Sequence, residues 1–353
     1  MFKLLKKSIY LEGINKLEIK KDIIEIKKNN IVIRVDACGV CSSDLKFIYS
    51  SHRIKKYPVI LGHEIAGTIM RNNGQKKMTE SKSRIVLGAE IPCGKCESCK
   101  KLKISNLCDN PSSVGSNFDG GFTNYLVLKK DIYNKIPKII YKSKNKIKFA
   151  ALSESIACVL NGLETISFTK KNTIAIIGAG YMGLLFVALS KILGAKKILV
   201  IDFDEKRLKI AKKLGAHNTC KISNDSQETI IEKIYKINKT ISYDRVVSAN
   251  SNIKSHELAC SLVAKKGSVN LFGGVLKNKK IMIDPNIIHY KEAVISGSFS
   301  SNISHLKKAF SIIRNNSINF SHIVSSYTNY KGFRSKITML KKQKEIKSIF
   351  LPE

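Results

Sequence analysis

Residues 173–202 constrain this chain more than any other stretch. Thr173-Ile174-Ala175-Ile176-Ile177 is short and β-branched, as a strand buried on both faces should be, and Gly178-Ala179-Gly180-Tyr181-Met182-Gly183 follows with the G-x-G-x-x-G spacing. In such a turn Gly178 permits the sharp bend, Gly180 lets the backbone approach a pyrophosphate, and Gly183 lets the next helix, residues 184–193, sit close to the sheet. Tyr181 and Met182 occupy the two variable positions, and the first N–H groups of the helix face the anion. Asp202 ends the next apolar strand about twenty residues on, where a carboxylate accepts from both ribose hydroxyls. The stretch therefore reads as a dinucleotide pocket. A plain βα turn and a membrane span are the alternatives. Three glycines at turn spacing and flanking lysines argue against a span, although residues 174–190 are almost wholly apolar.

At 353 residues and 43% hydrophobic content the chain has room for two domains and a large core. The formal net charge of +35 raises nucleic acid or an anionic membrane as a partner, yet the excess is mostly lysine spread through every segment and forms no basic arm. Biased composition is the better explanation, and blocks such as residues 142–148 and 277–280 read as solvated loops. The first residues, Met1-Phe2-Lys3-Leu4-Leu5-Lys6-Lys7, lack the apolar run and cleavage site of a signal peptide. Nine cysteines, four of them within residues 93–108, point to thiolate ligands in a reducing, cytoplasmic compartment rather than to disulfides.

Short alternating apolar stretches up to residue 28 read as antiparallel strands, and the turn at Asn29-Asn30 leads into a strand at residues 31–35. That strand delivers Cys38, Cys41, Ser43 and Asp44, and Gly62-His63-Glu64 follows some way on. Cysteine and histidine beside carboxylates suit a catalytic zinc with one open position, Asp44 orienting a ligand from behind. Spacing does not choose between Cys38 and Cys41. Cys93, Cys96, Cys99 and Cys108 form C-x2-C-x2-C plus a fourth cysteine, the pattern of a closed structural zinc site. Residues 119–128 read as a turn feeding a strand, and residues 138–148 as an exposed connection. A helix over residues 149–163 follows, with Glu154 the carboxylate in an otherwise apolar stretch.

With these motifs the chain resembles the zinc-dependent medium-chain alcohol dehydrogenases, in particular the sorbitol and threonine dehydrogenase branch. The likeness covers nearly the whole chain. It is carried by Gly39-Val40-Cys41, Gly62-His63-Glu64, the cysteine lobe, Gly120-Gly121-Phe122, the glycine turn, Leu271-Phe272-Gly273-Gly274 and His289-Tyr290-Lys291-Glu292. It implies an α/β protein: a GroES-like antiparallel β catalytic domain over residues 1–155, a Rossmann doubly wound parallel-sheet domain over 156–285, and a return to the first domain over 286–353. The reaction would lie in the cleft between the domains. On the family pattern Cys41 and His63 bind the catalytic zinc, Glu64 or Glu154 completes the set, and the cysteine lobe holds the structural zinc. Phe272 and Gly273 lie beside the nicotinamide, Ser43 takes the alcohol proton, and Asp202 disfavours the 2′-phosphate of NADP although Arg207 is near. The implied activity is NAD-dependent oxidation of a secondary alcohol, a polyol, sugar derivative or amino alcohol, by a homodimer or homotetramer.

Departures from the pattern qualify this. Ser155 stands where the branch usually has proline, and the loop from Cys99 to Cys108 is longer than usual. Lys46 replaces the histidine that relays a proton to solvent, and Phe47 and Ser300 replace a tyrosine and an arginine that contact polyols, which weighs against sorbitol itself. A rival from another class is a non-catalytic zinc- and nucleotide-binding protein that interacts with nucleic acid. Retention of Cys41, His63, Glu64 and Glu154 together argues against it, because a binding module needs no open metal site.

Overall fold

The computed structural model describes residues 2–50, 54–71, 83–143 and 149–352, which divide into two compact units. The first unit comprises Met1–Ala157, Ser300–Asn316 and Val324–Glu353, and the second Cys158–Phe299 and Ser317–Ile323. In chain order come β1 (Phe2–Gly13), β2 (Lys16–Ile26), β3 (Asn30–Val40), α1 (Ser42–Ser50), β4 (Val59–Ile60), β5 (Glu64–Arg71) and β6 (Ser83–Leu87). They are followed by β7 (Glu90–Ile91), α2 (Glu97–Lys100), β8 (Ser112–Ser113), β9 (Tyr125–Lys129), α3 (Lys130–Lys135), β10 (Lys138–Lys142) and α4 (Ser153–Thr165). The second unit contributes β11 (Thr173–Ile177), α5 (Tyr181–Ile192), β12 (Lys197–Asp202), α6 (Glu205–Lys213), β13 (Asn218–Lys221) and α7 (Gln227–Asn238). It continues with β14 (Tyr243–Ser248), α8 (Ile253–Ser261), β15 (Val263–Leu271), α9 (Pro285–Lys291) and β16 (Val294–Ser296). The first unit is completed by α10 (Ile303–Arg314), β17 (Ser326–Thr328), α11 (Phe333–Lys341) and β18 (Ser348–Phe350).

The main sheet of the first unit runs β10-β6-β5-β3-β18-β17, with β9 also paired to β3. β3 is its axis. It is β-branched at Ile31, Val32, Ile33 and Val35 and continues to Val40, and it pairs antiparallel with β5, β9 and β18. The pair Ile349↔Gly39 brings the last strand against the stretch that leads into Cys41. Phe122, Phe333 and Phe350 meet edge to face beneath it, with ring centroids of Phe122 and Phe333 4.6 Å apart.

In the second unit a parallel sheet runs β13-β12-β11-β14-β15-β16. Ile174, Ala175 and Ile176 are fully buried, as are Ile198, Leu199 and Val200 beside them. Burial on both faces stabilises each such isoleucine or valine by about 1.5–3 kcal/mol, which is why these strands read as unbroken apolar runs. α5 is buried from Gly183 to Ser190 against this sheet. Its apolar sequence is thereby explained, and among the described residues no helix is long and apolar enough to cross a membrane.

Two expectations are corrected. Residues 138–142 are a strand and not an exposed connection: β10 pairs antiparallel with β6, Ile139 opposite Val86 and Tyr141 opposite Arg84, and the flanking lysines had hidden the apolar centre. Residues 144–148 of that stretch lie outside the described residues. The chain rejoins the first unit at Ser300 rather than at residue 286. The cause is β16, which adds to β15 in parallel register and holds residues 294–296 in the second unit.

Candidate active site

Strand register assembles the first cluster. Gly39 of β3 pairs with Glu64 of β5, so Cys41, just past the end of β3, meets His63 and Glu64 at the start of β5. One ligand atom each of Cys41, His63 and Glu64 lies within 4.8 Å of the others. Backbone choice is strict here. Gly62 adopts φ +93°, and a Cβ on Gly39 would fall 2.0 Å from Glu64 Oε2, so only glycine leaves that carboxylate its place.

Asp44 is fully buried and ties the cluster together: its Oδ2 accepts from the Cys41 N–H at 2.8 Å, and its Oδ1 faces His63 Nδ1 at 3.6 Å. That contact on Nδ1 leaves Nε2 to face the site. Ser43 Oγ lies 3.5 Å from His63 Nε2. Burial disfavours the imidazolium of His63, but Asp44 and Cys41 outweigh it and hold its pKa well above the usual value. The site thus favours a cation beside its thiol and carboxylates. Glu64 splits its carboxylate: Oε1 accepts from the buried Lys347 ammonium at 2.6 Å, while Oε2 is buried with no hydrogen-bond partner among the described residues. An orphaned carboxylate oxygen next to a cysteine and a histidine is a donor set that would suit a zinc ion.

The two cysteines differ in their surroundings: Cys41 is the one grouped with His63 and Glu64. Cys38 is fully buried, its Sγ wedged between Gly62 and Gly121, and burial followed by the charges of Asp44 and Glu64 pushes its thiol pKa well up. It is a packing residue. Glu154 is buried at the start of α4 and stands outside the group formed by Cys41, His63 and Glu64. Lys46 is exposed on α1, and no hydrogen bond or ion pair joins its ammonium to the cluster among the described residues.

Cys93, Cys96, Cys99 and Cys108 also lie within 4.8 Å of one another. The N–H groups of Lys95 and Cys96 lower the Cys93 pKa to about 6, whereas burial and then the Cys96 sulfur raise that of Cys99 to about 12. Thiols of such unequal acidity become four thiolates together when a dication compensates them.

In the second unit the glycine turn has the expected form. Gly178 adopts φ +102°, a Cβ on Gly183 would strike the Gly178 carbonyl at 1.8 Å, and the space in front of Gly180 is open. Tyr181 and Met182 form the first turn of α5. Asp202 accepts from the Ala179 N–H at 2.6 Å and the Asp204 N–H at 2.8 Å, so its carboxylate is fixed at the turn. Arg207 points its Nε at Asp204, 3.7 Å away. The Phe272 ring packs edge-on against Phe186, with centroids 5.0 Å apart, and Gly273 follows it. The chain winds outward from β11 in both directions, so a crevice at the strand ends is where a ligand is expected.

Sequence reasoning missed a cavity of about 550 Å³ after β13 and β14, lined by Ile222, Asp225, Ser226, Asn252, Lys254 and Glu257 among others. The signal was present in Ser226 and Asn252, which cap α7 and α8 and mark two helix starts converging there.

A family model described as "Alcohol dehydrogenase GroES-like domain" matches residues 27–138, and one described as "Zinc-binding dehydrogenase" matches residues 182–315. The chain is 31% identical to the sorbitol dehydrogenase of Bacillus subtilis over 297 residues, 81% of this chain and 80% of that protein. It is 27% identical to the D-altritol 5-dehydrogenase of Agrobacterium fabrum over 307 residues, 86% of each. A solved alcohol dehydrogenase from Thermotoga maritima superposes with a TM-score of 0.89 at 25% identity, covering 99% of this chain and 100% of that one.

Proposed function

The chain belongs to the zinc-dependent, GroES-like alcohol dehydrogenases, and from that premise we propose that it oxidises a secondary alcohol of the polyol, sugar-derivative or amino-alcohol class with NAD as hydride acceptor. The observation that carries the reading is the triangle of Cys41, His63 and Glu64 with its orphaned Glu64 Oε2. These residues fit a catalytic zinc, Glu64 rather than Glu154 completing the set, and Cys93, Cys96, Cys99 and Cys108 fit a structural one. When bound, zinc supplies Lewis acidity at the alcohol oxygen and NAD supplies the carbon that accepts the hydride. The chain's own residues do the rest. Ser43 accepts the alcohol proton while passing its own hydroxyl proton on to the ribose and solvent, Asp44 holds the His63 ring, and Lys347 holds one Glu64 oxygen so that the other stays aimed at the site.

NAD is preferred over NADP. A 2′-phosphate at the end of β12 would meet the carboxylates of Asp202 and Asp204, and Arg207 is turned to Asp204. The adenosine half is assigned to the cavity beyond β13 and β14, with Gly178, Gly180 and Gly183 under the pyrophosphate. Free thiols at all nine cysteines suit a cytoplasmic location.

A second copy of the chain is proposed to cover the β16 edge. Among the described residues β16 pairs with β15 alone, α9, which packs on β15, buries no residue, and Tyr290 on α9 and Met282 before it are 74% and 84% exposed. Sedimentation of Val294→Lys should show a monomer where the parent protein is a dimer or larger; an unchanged mass would sink this part.

A screen of secondary alcohols for NADH formation tests the enzymatic reading. If no alcohol reduces NAD while DNA or RNA binding persists at moderate salt, the polyanion-binding reading replaces it.

A further inference from the structure

The glycine segment after β15 is held by a device the sequence does not advertise. His256 on α8 is 3% exposed, and both ring nitrogens are engaged: Nδ1 lies 2.8 Å from Ser248 Oγ and Nε2 2.9 Å from the Gly273 carbonyl oxygen. A carbonyl only accepts, so Nε2 carries the proton and Nδ1 accepts from the Ser248 hydroxyl, which fixes the tautomer. Gly273 is held at its other end as well, its N–H donating to the Ser248 carbonyl at 3.2 Å, next to the Phe272 N–H at 3.1 Å. Its Cα has no freedom, since a Cβ there would lie 1.8 Å from the Asn250 carbonyl oxygen. Asn250 in turn reaches the glycine turn, its Nδ2 donating to the Ile177 carbonyl at 3.3 Å. One chain of contacts thus links the ends of β11, β14 and β15.

The peptide between Gly273 and Gly274 is trans, so its N–H points opposite to its C=O. With the Gly273 carbonyl drawn inward by His256, the Gly274 N–H is turned outward. Gly274 is exposed, the space beside it is open, and no acceptor meets its N–H among the described residues. We propose that His256 is a positioning residue for the dinucleotide: by donating from Nε2 to the Gly273 carbonyl it orients the 273–274 peptide so that the Gly274 N–H is presented to the nicotinamide half. This rests on the nucleotide reading given above. His256, 3% exposed with both ring nitrogens engaged inside the protein, acts through Gly273.

The test separates orientation from packing. Glutamine at position 256 places an N–H donor where Nε2 stands, whereas asparagine places a polar group where Nδ1 stands and leaves the Gly273 carbonyl without its donor. His256→Gln should bind NAD within about twofold of the parent protein, and His256→Asn and His256→Leu should weaken NAD about tenfold, the size expected for one buried carbonyl left unpaired. AMP, which occupies the adenosine half alone, should bind all four proteins alike. Calorimetric titration with NAD and with AMP reads both numbers, and thermal unfolding reports any general loss of stability. If AMP weakens in step with NAD, or if Gln and Asn behave alike, His256 acts through packing and the proposal is overturned. Failure of the parent protein to bind either nucleotide would instead refute the nucleotide reading on which this one stands.

Discussion

The ammonium of Lys347 stands 2.6 Å from Oε1 of Glu64, with both side chains 1% exposed, across a sequence separation of 283 residues. Removing one member of such a pair leaves an uncompensated buried charge, so Lys347→Met should cost about 3–5 kcal/mol of stability in the metal-free protein. Bound zinc would recover part of that loss by taking over as counter-charge. Burial alone would lower the Lys347 pKa, but Glu64, with Cys41 and Asp44, outweighs it and the net direction is upward. The pair's contribution is therefore complete below the ordinary lysine pKa of about 10.4 and is lost as pH rises through the higher folded-state value. Urea unfolding of parent and variant should show a constant difference from pH 7 to about pH 10. A difference that already shrinks between pH 7 and 9 contradicts the pairing.

Metal content should be two zinc ions per chain. Cys41→Ala should lose one ion and nearly all activity, Cys96→Ala should lose the other with a fall in unfolding temperature, and Cys38→Ala should keep both. Asp44→Asn should reduce zinc affinity or turnover by about 10–100-fold, because the His63 ring and the Cys41 backbone lose their support. Elemental analysis of the purified variants decides, and loss of an ion from Cys38→Ala would show that the wrong cysteine is assigned.

Asp202 should govern cofactor choice. Because its carboxylate also holds the Ala179 and Asp204 N–H groups, Asp202→Ser should loosen the glycine turn as well as remove the acceptor for ribose. We expect NAD to weaken by about tenfold and the ratio of NAD to NADP efficiency to fall further. Equal kcat/KM for the two cofactors in the parent enzyme would be enough to reject the idea.

Lys46 should act only at long range. Its ammonium is exposed on α1, so its positive charge favours an alkoxide weakly, and Lys46→Gln should move the alcohol-oxidation pH profile upward by about 0.3 unit at low salt. High salt should abolish the shift. Lys46→His should restore a conventional relay, seen as a faster proton release. If neither variant changes the profile at low salt, the proton leaves through Ser43 and water alone.

What the sequence disclosed and what it withheld divide by range. The glycine turn and the lobe of Cys93, Cys96, Cys99 and Cys108 are local, so residue spacing specifies their geometry. Cys41 over Cys38 was not decidable from spacing, because the difference lies in Gly62 and Gly121, which bury the Cys38 sulfur. Lys347 was invisible among so many lysines until β18 paired with β3 and carried it to Glu64. The strand at Lys138–Lys142 was hidden for a related reason: lysines at its ends lowered its apparent hydropathy while Ile139, Ile140 and Tyr141 still paired into the sheet. His256 gave no signal, since the residues it joins are neighbours only across parallel strands.

The two proposed metal centres also differ in when their ligands come together. Residues 93–108 contain all four cysteines of the lobe proposed to hold a structural zinc, so that lobe would have its whole ligand set as soon as the ribosome has released this short stretch. Glu64 must wait for Lys347, whose position depends on a strand synthesised hundreds of residues later. Translation therefore imposes an order: the four cysteines are together early, whereas Glu64 acquires the balancing charge of Lys347 only after the whole second unit has been made.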